Sequence, residues 1–252
     1  KITVRQALAQ SRNIPAVKIL ASYGVDKMID LGEKMGITTW QDRSRFGLSL
    51  TLGGGETKLL DLASVYSVIA NGGINNEIID ITEIKNHNGK TLFDIRKTKT
   101  IPEQVIDSRV AYLLIDTLKD NIARSPAFGT NSMLVIPNHP EVAVKTGTSN
   151  DLKDNLTIGF NQDYLTAVWV GNNDGSPMSR IASGITGAAP IWNKIMRALI
   201  NNNPSDEWPI PNGLVKKECY GRNEWFLEER QLGCPKILEP AISTTSTEVP
   251  VQ

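Results

Sequence analysis

The chain has 252 residues, enough to bury a sizeable core in one domain with some left over. Apolar residues make up 40% and charged residues 21%, and the 27 basic and 27 acidic side chains cancel, so nothing in the overall charge favours nucleic acid or an anionic membrane. No apolar run reaches the roughly 18–20 residues that span a bilayer. Cys219 and Cys234 form no CxxC pair or Cys/His cluster, which argues against zinc or any other metal.

Lys1-Ile2-Thr3 leads straight into helix-like sequence, so the start reads as cut, and the lack of a signal peptide carries no information about compartment. Thr3 caps an expected short helix from Val4 to about Gln10, broken at Ser11-Arg12-Asn13. Pro15 suits the first turn of a second helix through Ala21, which Gly24 stops, and a third helix runs from Asp26 to Met35. Ser11 and Asn13 therefore sit in a tight connection between helices, where both side chains can face one cleft.

Leu52-Gly53-Gly54-Gly55-Glu56-Thr57 invites a phosphate-cradle reading, but neither GxxxxGK[ST] nor GxGxxG is present. The plainer reading is a close-packed glycine turn in which Thr57 caps a helix over Lys58–Asn71. Residues 74–100 alternate, with Asn88-Gly89 as a hairpin signal between two short strands. An amphipathic helix is expected over 105–120, with Val110, Leu113, Leu114, Thr117 and Leu118 inward, and residues 121–140 read as loop. His87 and His139 stand in turn-like contexts and read as surface loop histidines.

Glu141 to Ser149 is a strand that ends in Lys145-Thr146-Gly147-Thr148-Ser149: a cation, hydroxyls and a glycine. Such an edge can hold a carboxylate and offer backbone N–H groups to an oxyanion. A polar link follows, then strands at Leu156–Phe160 and Leu165–Val170 joined at Asn161-Gln162-Asp163, making an antiparallel meander. Gly171–Gly187 reads as loop. Ala188–Ile200 reads as a helix with Ile191, Trp192, Ile195, Met196 and Leu199 apolar. Composition then shifts. Prolines recur at 204, 209, 211, 235 and 240, and Ser243–Gln252 is Ser/Thr-rich and expected to be disordered. We divide the chain into 1–203 and a C-terminal extension, 204–252. The element order gives an α+β fold: an antiparallel sheet covered by helices.

Ser11-x-Asn13 between two helices and Lys145-Thr146-Gly147 on a strand that starts a hairpin are each weak alone. Together, in this order, they resemble the SxN and KTG motifs of penicillin-binding proteins and β-lactamases. Further strings narrow the resemblance to the transpeptidase domain of bifunctional (class A) penicillin-binding proteins over roughly residues 1–200. They are Ala7 to Asn13, Leu52 to Thr57, Ala70 to Gly73, Lys145 to Asn150, Val168 to Asp174 and Thr186 to Trp192. The third family motif, SxxK, is absent: no serine has a lysine three residues on. The resemblance implies a penicillin-binding/β-lactamase-like sheet with helices on both faces. The helix that carries the nucleophilic serine and its lysine is expected before Lys1.

The resemblance also implies roles. Ser11 relays a proton between the missing lysine and the leaving amine; the plainer reading is a connection serine bonded to local backbone. Asn13 holds a substrate amide; alternatively it N-caps the Pro15 helix. Lys145, with the Thr146 and Thr148 hydroxyls, meets the carboxylate of a D-Ala-D-Ala stem peptide or of a penicillin; the plainer reading of Lys145 is a solvated strand-end lysine. Gly147 lets an extended substrate lie along the strand, and the Thr148 N–H is an oxyanion donor. Catalytic roles thus fall on Ser11, Lys145 and Thr148, and substrate binding on Asn13, Thr146, Gly147 and Thr148. No cofactor is implied.

The implied activity is peptidoglycan D,D-transpeptidation through a serine acyl-enzyme, inhibited by β-lactams. A β-lactamase or D,D-carboxypeptidase on the same fold is the alternative, and the isolated chain is expected to be an inactive module that binds peptidoglycan or a partner. Membrane contact is expected only through a missing N-terminal anchor, and the compartment is extracytoplasmic (periplasm or outer face of the cell membrane). That compartment permits disulfides. A Cys219–Cys234 bond would close a loop of about 15 residues, for ~3 kcal/mol in the entropic treatment, against the alternative of two buried thiols. One departure from the family stands at Leu156, where Trp is common; looser packing behind the KTG strand is expected there.

Overall fold

The structure, a computed structural model, describes residues 2–98, 101–149, 152–178, 186–200, 206–219, 221–230 and 234. It contains two compact units, residues 1–209 and 210–252. The expected disorder of Ser243–Gln252, the middle of the 171–187 loop and the start of the polar link after Ser149 fall outside the described residues.

The first unit opens with three helices: α1 (Val4–Ala9), α2 (Asn13–Tyr23) and α3 (Val25–Lys34). Thr3 and Gln6 form a capping box on α1, each side chain serving the other's backbone N–H. Gly24, at φ 102°, separates α2 from α3. Leu20, Ile29, Ile37, Trp40 and Leu50 make a small core under these helices. α4 (Leu59–Ala70) follows, but Thr57 does not cap it: its hydroxyl donates to Gly55 O, and Lys58 stands at the cap with no side-chain capping bond. The Gly53–Gly55 turn is close-packed, as expected: a Cβ on Gly54 would lie 2.9 Å from the Ser49 carbonyl carbon.

Two small sheets come next. β1 (Ile74–Asn75) pairs with β4 (Glu103–Gln104), and β2 (Glu83–Lys85) pairs with β3 (Thr91–Asp94) around the Asn88-Gly89 turn. α5 (Ser108–Leu118) is capped by Asp107, and it buries Ala111, Tyr112, Ile115, Thr117 and Leu118 while Val110 is exposed. The stretch read as loop after it contains a helix, α6 (Asn121–Phe128), capped by Asp120. Pro126 disguised it. Proline lacks the N–H that would reach Ile122 O, and the Ser125 hydroxyl donates to that carbonyl instead, at 3.0 Å.

The central sheet is an antiparallel meander, β5 (Ala143–Thr148), β6 (Asp154–Phe160) and β7 (Leu165–Gly171), in that order. Strand alternation sorts its side chains onto two faces. Val144, Thr146, Thr157, Asn155 and Val168 share one face, which α7 (Ala188–Ile200) covers with Ala188, Ala189, Trp192 and Met196. Ile191, Ile195 and Leu199 of α7 are exposed, so its buried stripe is narrower than its apolar content. Asn155 is fully buried and accepts the Ala188 N–H at 2.9 Å, meeting one open donor of the first turn of α7. Lys145, Gly147, Ile158 and Phe160 share the other face, where Tyr66 of α4 meets Phe160 edge-on. Helices thus cover both faces of an α+β unit. Trp169 stands opposite Leu156, the residue that departs from the family pattern, and donates to Asp154 at 2.9 Å.

His139 is not a surface histidine: it is buried, with Nδ1 2.8 Å from Glu141 Oε1, and Trp208 donates to the Glu141 carbonyl at 2.7 Å. The second unit contains a hairpin, β8 (Leu214–Cys219) and β9 (Arg222–Leu227), where composition alone suggested only an extension. Cys219 and Cys234 are disulfide-bonded.

Candidate active site

The site begins where α1 stops. Ser11 N–H donates to Leu8 O at 3.1 Å and Arg12 N–H to Ala7 O at 2.9 Å, the paired bonds of a Schellman turn. Ser11 occupies the left-handed position of that turn, at φ 57°, which glycine usually fills. The chain accepts the strain of a β-carbon there, and the hydroxyl so held is exposed. Asn13 opens α2 and is exposed; Arg12, not Asn13, is the cap residue, and the Asn13 amide makes no hydrogen bond among the described residues.

β5 is an edge strand, so one row of its backbone groups faces away from the sheet. Ser149 N–H donates inward to Asp154 O at 3.0 Å, and the antiparallel alternation then turns the Thr146 and Thr148 backbone groups to the free edge. Lys145 reaches along that edge. Its Nζ donates to Thr146 O at 2.7 Å and to Ser11 Oγ at 2.7 Å, across 134 residues of sequence. The structure thus brings Ser11 and Lys145 together. The Thr146 and Thr148 side chains lie on the sheet face opposite Lys145; Thr146 is buried and Thr148 exposed. At Gly147 an added Cβ would find Leu156 Cβ at 3.5 Å, an ordinary contact, so internal packing does not demand glycine there.

Burial lowers the Lys145 pKa to about 8, and the nearby Arg124 guanidinium adds to the shift. Arg124, from α6, is itself pushed down to about 10 by burial, partly offset by Asp120. It donates to Leu118 O at 2.8 Å, to Val144 O at 3.4 Å and to Asn121 Oδ1 at 3.4 Å. Sequence reading passed over Arg124 because its segment read as loop. The signal was there: Asp120 as a cap, then an arginine one turn later among Ala and Phe. Arg5 and Gln10 were missed likewise. Arg5 pairs with Asp116 at 2.5 Å and with Asp120 at 3.3 Å, and Gln10 donates to Ala123 O at 3.1 Å.

A lysine on a free strand edge, bonded to a serine in a helix connection and flanked by outward N–H groups, suits an acyl-transfer cleft. The penicillin binding protein transpeptidase domain family matches residues 1–197. The chain belongs to this family. It is 32% identical over 240 residues to penicillin-binding protein 1A of Neisseria lactamica, covering 94% of this chain and 29% of that one. It is 27% identical over 261 residues to penicillin-binding protein 1A of Pseudomonas aeruginosa, covering 85% and 31%. The chain therefore spans less than a third of the length of these relatives.

Among solved structures, penicillin-binding protein 1A of Haemophilus influenzae superposes with a TM-score of 0.76 at 23% identity, over 90% of this chain and 40% of that one. The PonA1 protein of Mycobacterium tuberculosis, in complex with penicillin V, gives 0.69 at 22%, over 83% and 58%. These two likenesses establish the penicillin-binding fold. Among the described residues no helix is long and apolar enough to cross a membrane, and no group of His, Cys, Asp and Glu could hold a metal ion.

Proposed function

We propose that this chain supplies two walls of the cleft of a peptidoglycan D,D-transpeptidase of the serine acyl-enzyme type. The nucleophilic serine and its lysine come from a segment outside these 252 residues. One observation carries the reading: the 2.7 Å bond from Lys145 Nζ to Ser11 Oγ. Because Nζ donates, the Ser11 oxygen accepts, and its own hydrogen is free to move to the amine that leaves a D-Ala-D-Ala terminus. Two of the three ammonium hydrogens serve Ser11 and Thr146 O, which leaves one for a substrate or penicillin carboxylate.

The outward Thr148 N–H donates to the oxyanion that forms when the serine attacks the carbonyl. Its partner donor is the nucleophile's own N–H. The Asn13 amide, exposed and without a hydrogen bond among the described residues, holds a backbone amide of the substrate, and Gly147 keeps the edge open to an extended peptide. The exposed Thr148 hydroxyl reaches the carboxylate by leaning past the strand edge. Thr146 contributes through its edge backbone, since its side chain packs under α7. Peptidoglycan stem peptides are the substrates and β-lactams the inhibitors. The compartment is extracytoplasmic.

The 252-residue chain, checked as folded by circular dichroism, is expected to take up no covalent label from a fluorescent penicillin. A label that survives SDS would mean that a serine within the chain is the nucleophile, and would overturn this reading.

A further inference from the structure

The two residues that meet at the site come from distant segments. Ser11 ends α1, and Lys145 lies on β5. Both segments are tied to one feature, the corner between α5 and α6. On the α1 side, Arg5 pairs with Asp116 and Asp120, and the buried Gln10 amide donates to Ala123 O. On the β5 side, Arg124 is 5% exposed and reaches Val144 O, the carbonyl just before Lys145. The same Nη1 atom holds Leu118 O at the end of α5, and Nη2 reaches Asn121 Oδ1 at the start of α6. A buried guanidinium that spans the corner and the strand fixes one against the other, as a shorter or single-donor side chain cannot.

We propose that Arg124 is the positioning residue of this site: it locks β5 onto the α5–α6 corner, and so holds the Lys145 ammonium in reach of Ser11. The proposal rests on the reading of the Ser11–Lys145 pair given above, and its test does not need the acyl-transfer reaction. Arg124 also acts through space. The charged groups on the elements that meet here are Arg5 and Arg12 from the α1 end, Asp116 and Asp120 from α5 and the corner, and Arg124 from α6. Arg5 is paired with the two aspartates, Arg12 bonds the neutral Gln10 Oε1 at 2.9 Å, and Arg124 is the cation that acts on Lys145, beside the larger effect of burial. A cation held there favours proton loss from Lys145, which suits a lysine that shares a proton with a serine.

The test is the side-chain NMR titration of Lys145 (13Cε and 15Nζ) in the full 252-residue chain. Arg124→Met removes both the charge and the anchor; Arg124→Gln keeps a donor and removes the charge. In both, the Lys145 midpoint is expected to rise by about one pH unit from its value near 8. In Arg124→Met, which also lacks the anchor, the Lys145 signal is expected to broaden as its bond to Ser11 is lost. Val168→Ala serves as a control: it loosens the far face of the sheet and is expected to leave the midpoint where it is. If Arg124→Met does not fold, the Gln variant carries the charge test alone. An unmoved midpoint in the folded Arg124 variants would overturn the proposal. So would an equal shift in Val168→Ala. Absence of penicillin acylation in a longer polypeptide would count against the functional reading and leave this result standing.

Discussion

Ser11 and Lys145 are held in states that the isolated residues disfavour. Ser11 occupies a left-handed helix end, at φ 57°. Ser11→Gly should relieve that strain and stabilise the chain by about 0.5–1 kcal/mol in urea unfolding, while it removes the hydroxyl that Lys145 holds. A loss of stability in this variant would show that the turn does not carry the strain argued here. Lys145 follows the same logic. Its folded pKa of about 8 lies below the ordinary 10.5, so the folded chain binds fewer protons than the unfolded chain between those values. Stability is therefore expected to rise with pH from about 8 to 10.5, and the full cost of the buried charge is present below 8. Lys145→Met should accordingly raise stability at pH 7 by about 1–2 kcal/mol, with the gain fading above pH 8. Urea melts at pH 7 and pH 10 check both the sign and the window.

At the scale of elements, the edge position of β5 does most to make a site. Gly147→Ala is expected to leave the melting temperature within a degree or so, because the added methyl meets only ordinary contacts, yet to slow penicillin acylation of a longer polypeptide by about tenfold or more. Gly159, one strand over, behaves in the opposite way. A Cβ there would lie 2.7 Å from Trp192 Cε2 and 2.9 Å from Ala143 O, so Gly159→Ala should cost about 1–3 kcal/mol in thermal unfolding. That contrast in outcome would separate a glycine that serves a ligand from one that packing requires. The meander and α7 were legible in the sequence because alternation and a long amphipathic run are strong local signals. α6 was hidden by Pro126, whose cost is met by a neighbouring serine that no periodicity reveals. Val110 reads as inward on apolarity yet is exposed, and so are Ile191, Ile195 and Leu199 among the apolar residues of α7; which apolar stripe is covered depends on what packs against it, and only the fold decides that. Ser11 and Lys145 were legible as motifs, whereas Arg124 was not, since its role comes from a contact twenty residues downstream at Val144 O. His139 misled because its turn context says nothing of the Glu141 pairing that allows its burial.

The whole molecule divides into the family-matched unit and the disulfide-bearing one. Within the second unit, the Cys219–Cys234 bond ties the end of β8 to residue 234. Its reduction is expected to lower the protection of the β8 and β9 amides against hydrogen exchange by up to ~3 kcal/mol, and to leave the β5–β7 amides unchanged. For the first unit, the central claim is that Ser11 and Lys145 serve a serine that this chain does not contain. The most direct measurement is peptide mapping of the penicilloyl adduct on a longer polypeptide that includes the preceding segment. The adduct is expected on a serine before residue 1, three residues ahead of a lysine, and Lys145→Ala should abolish it. An adduct on Ser11, or on any other serine of these 252 residues, would contradict the account.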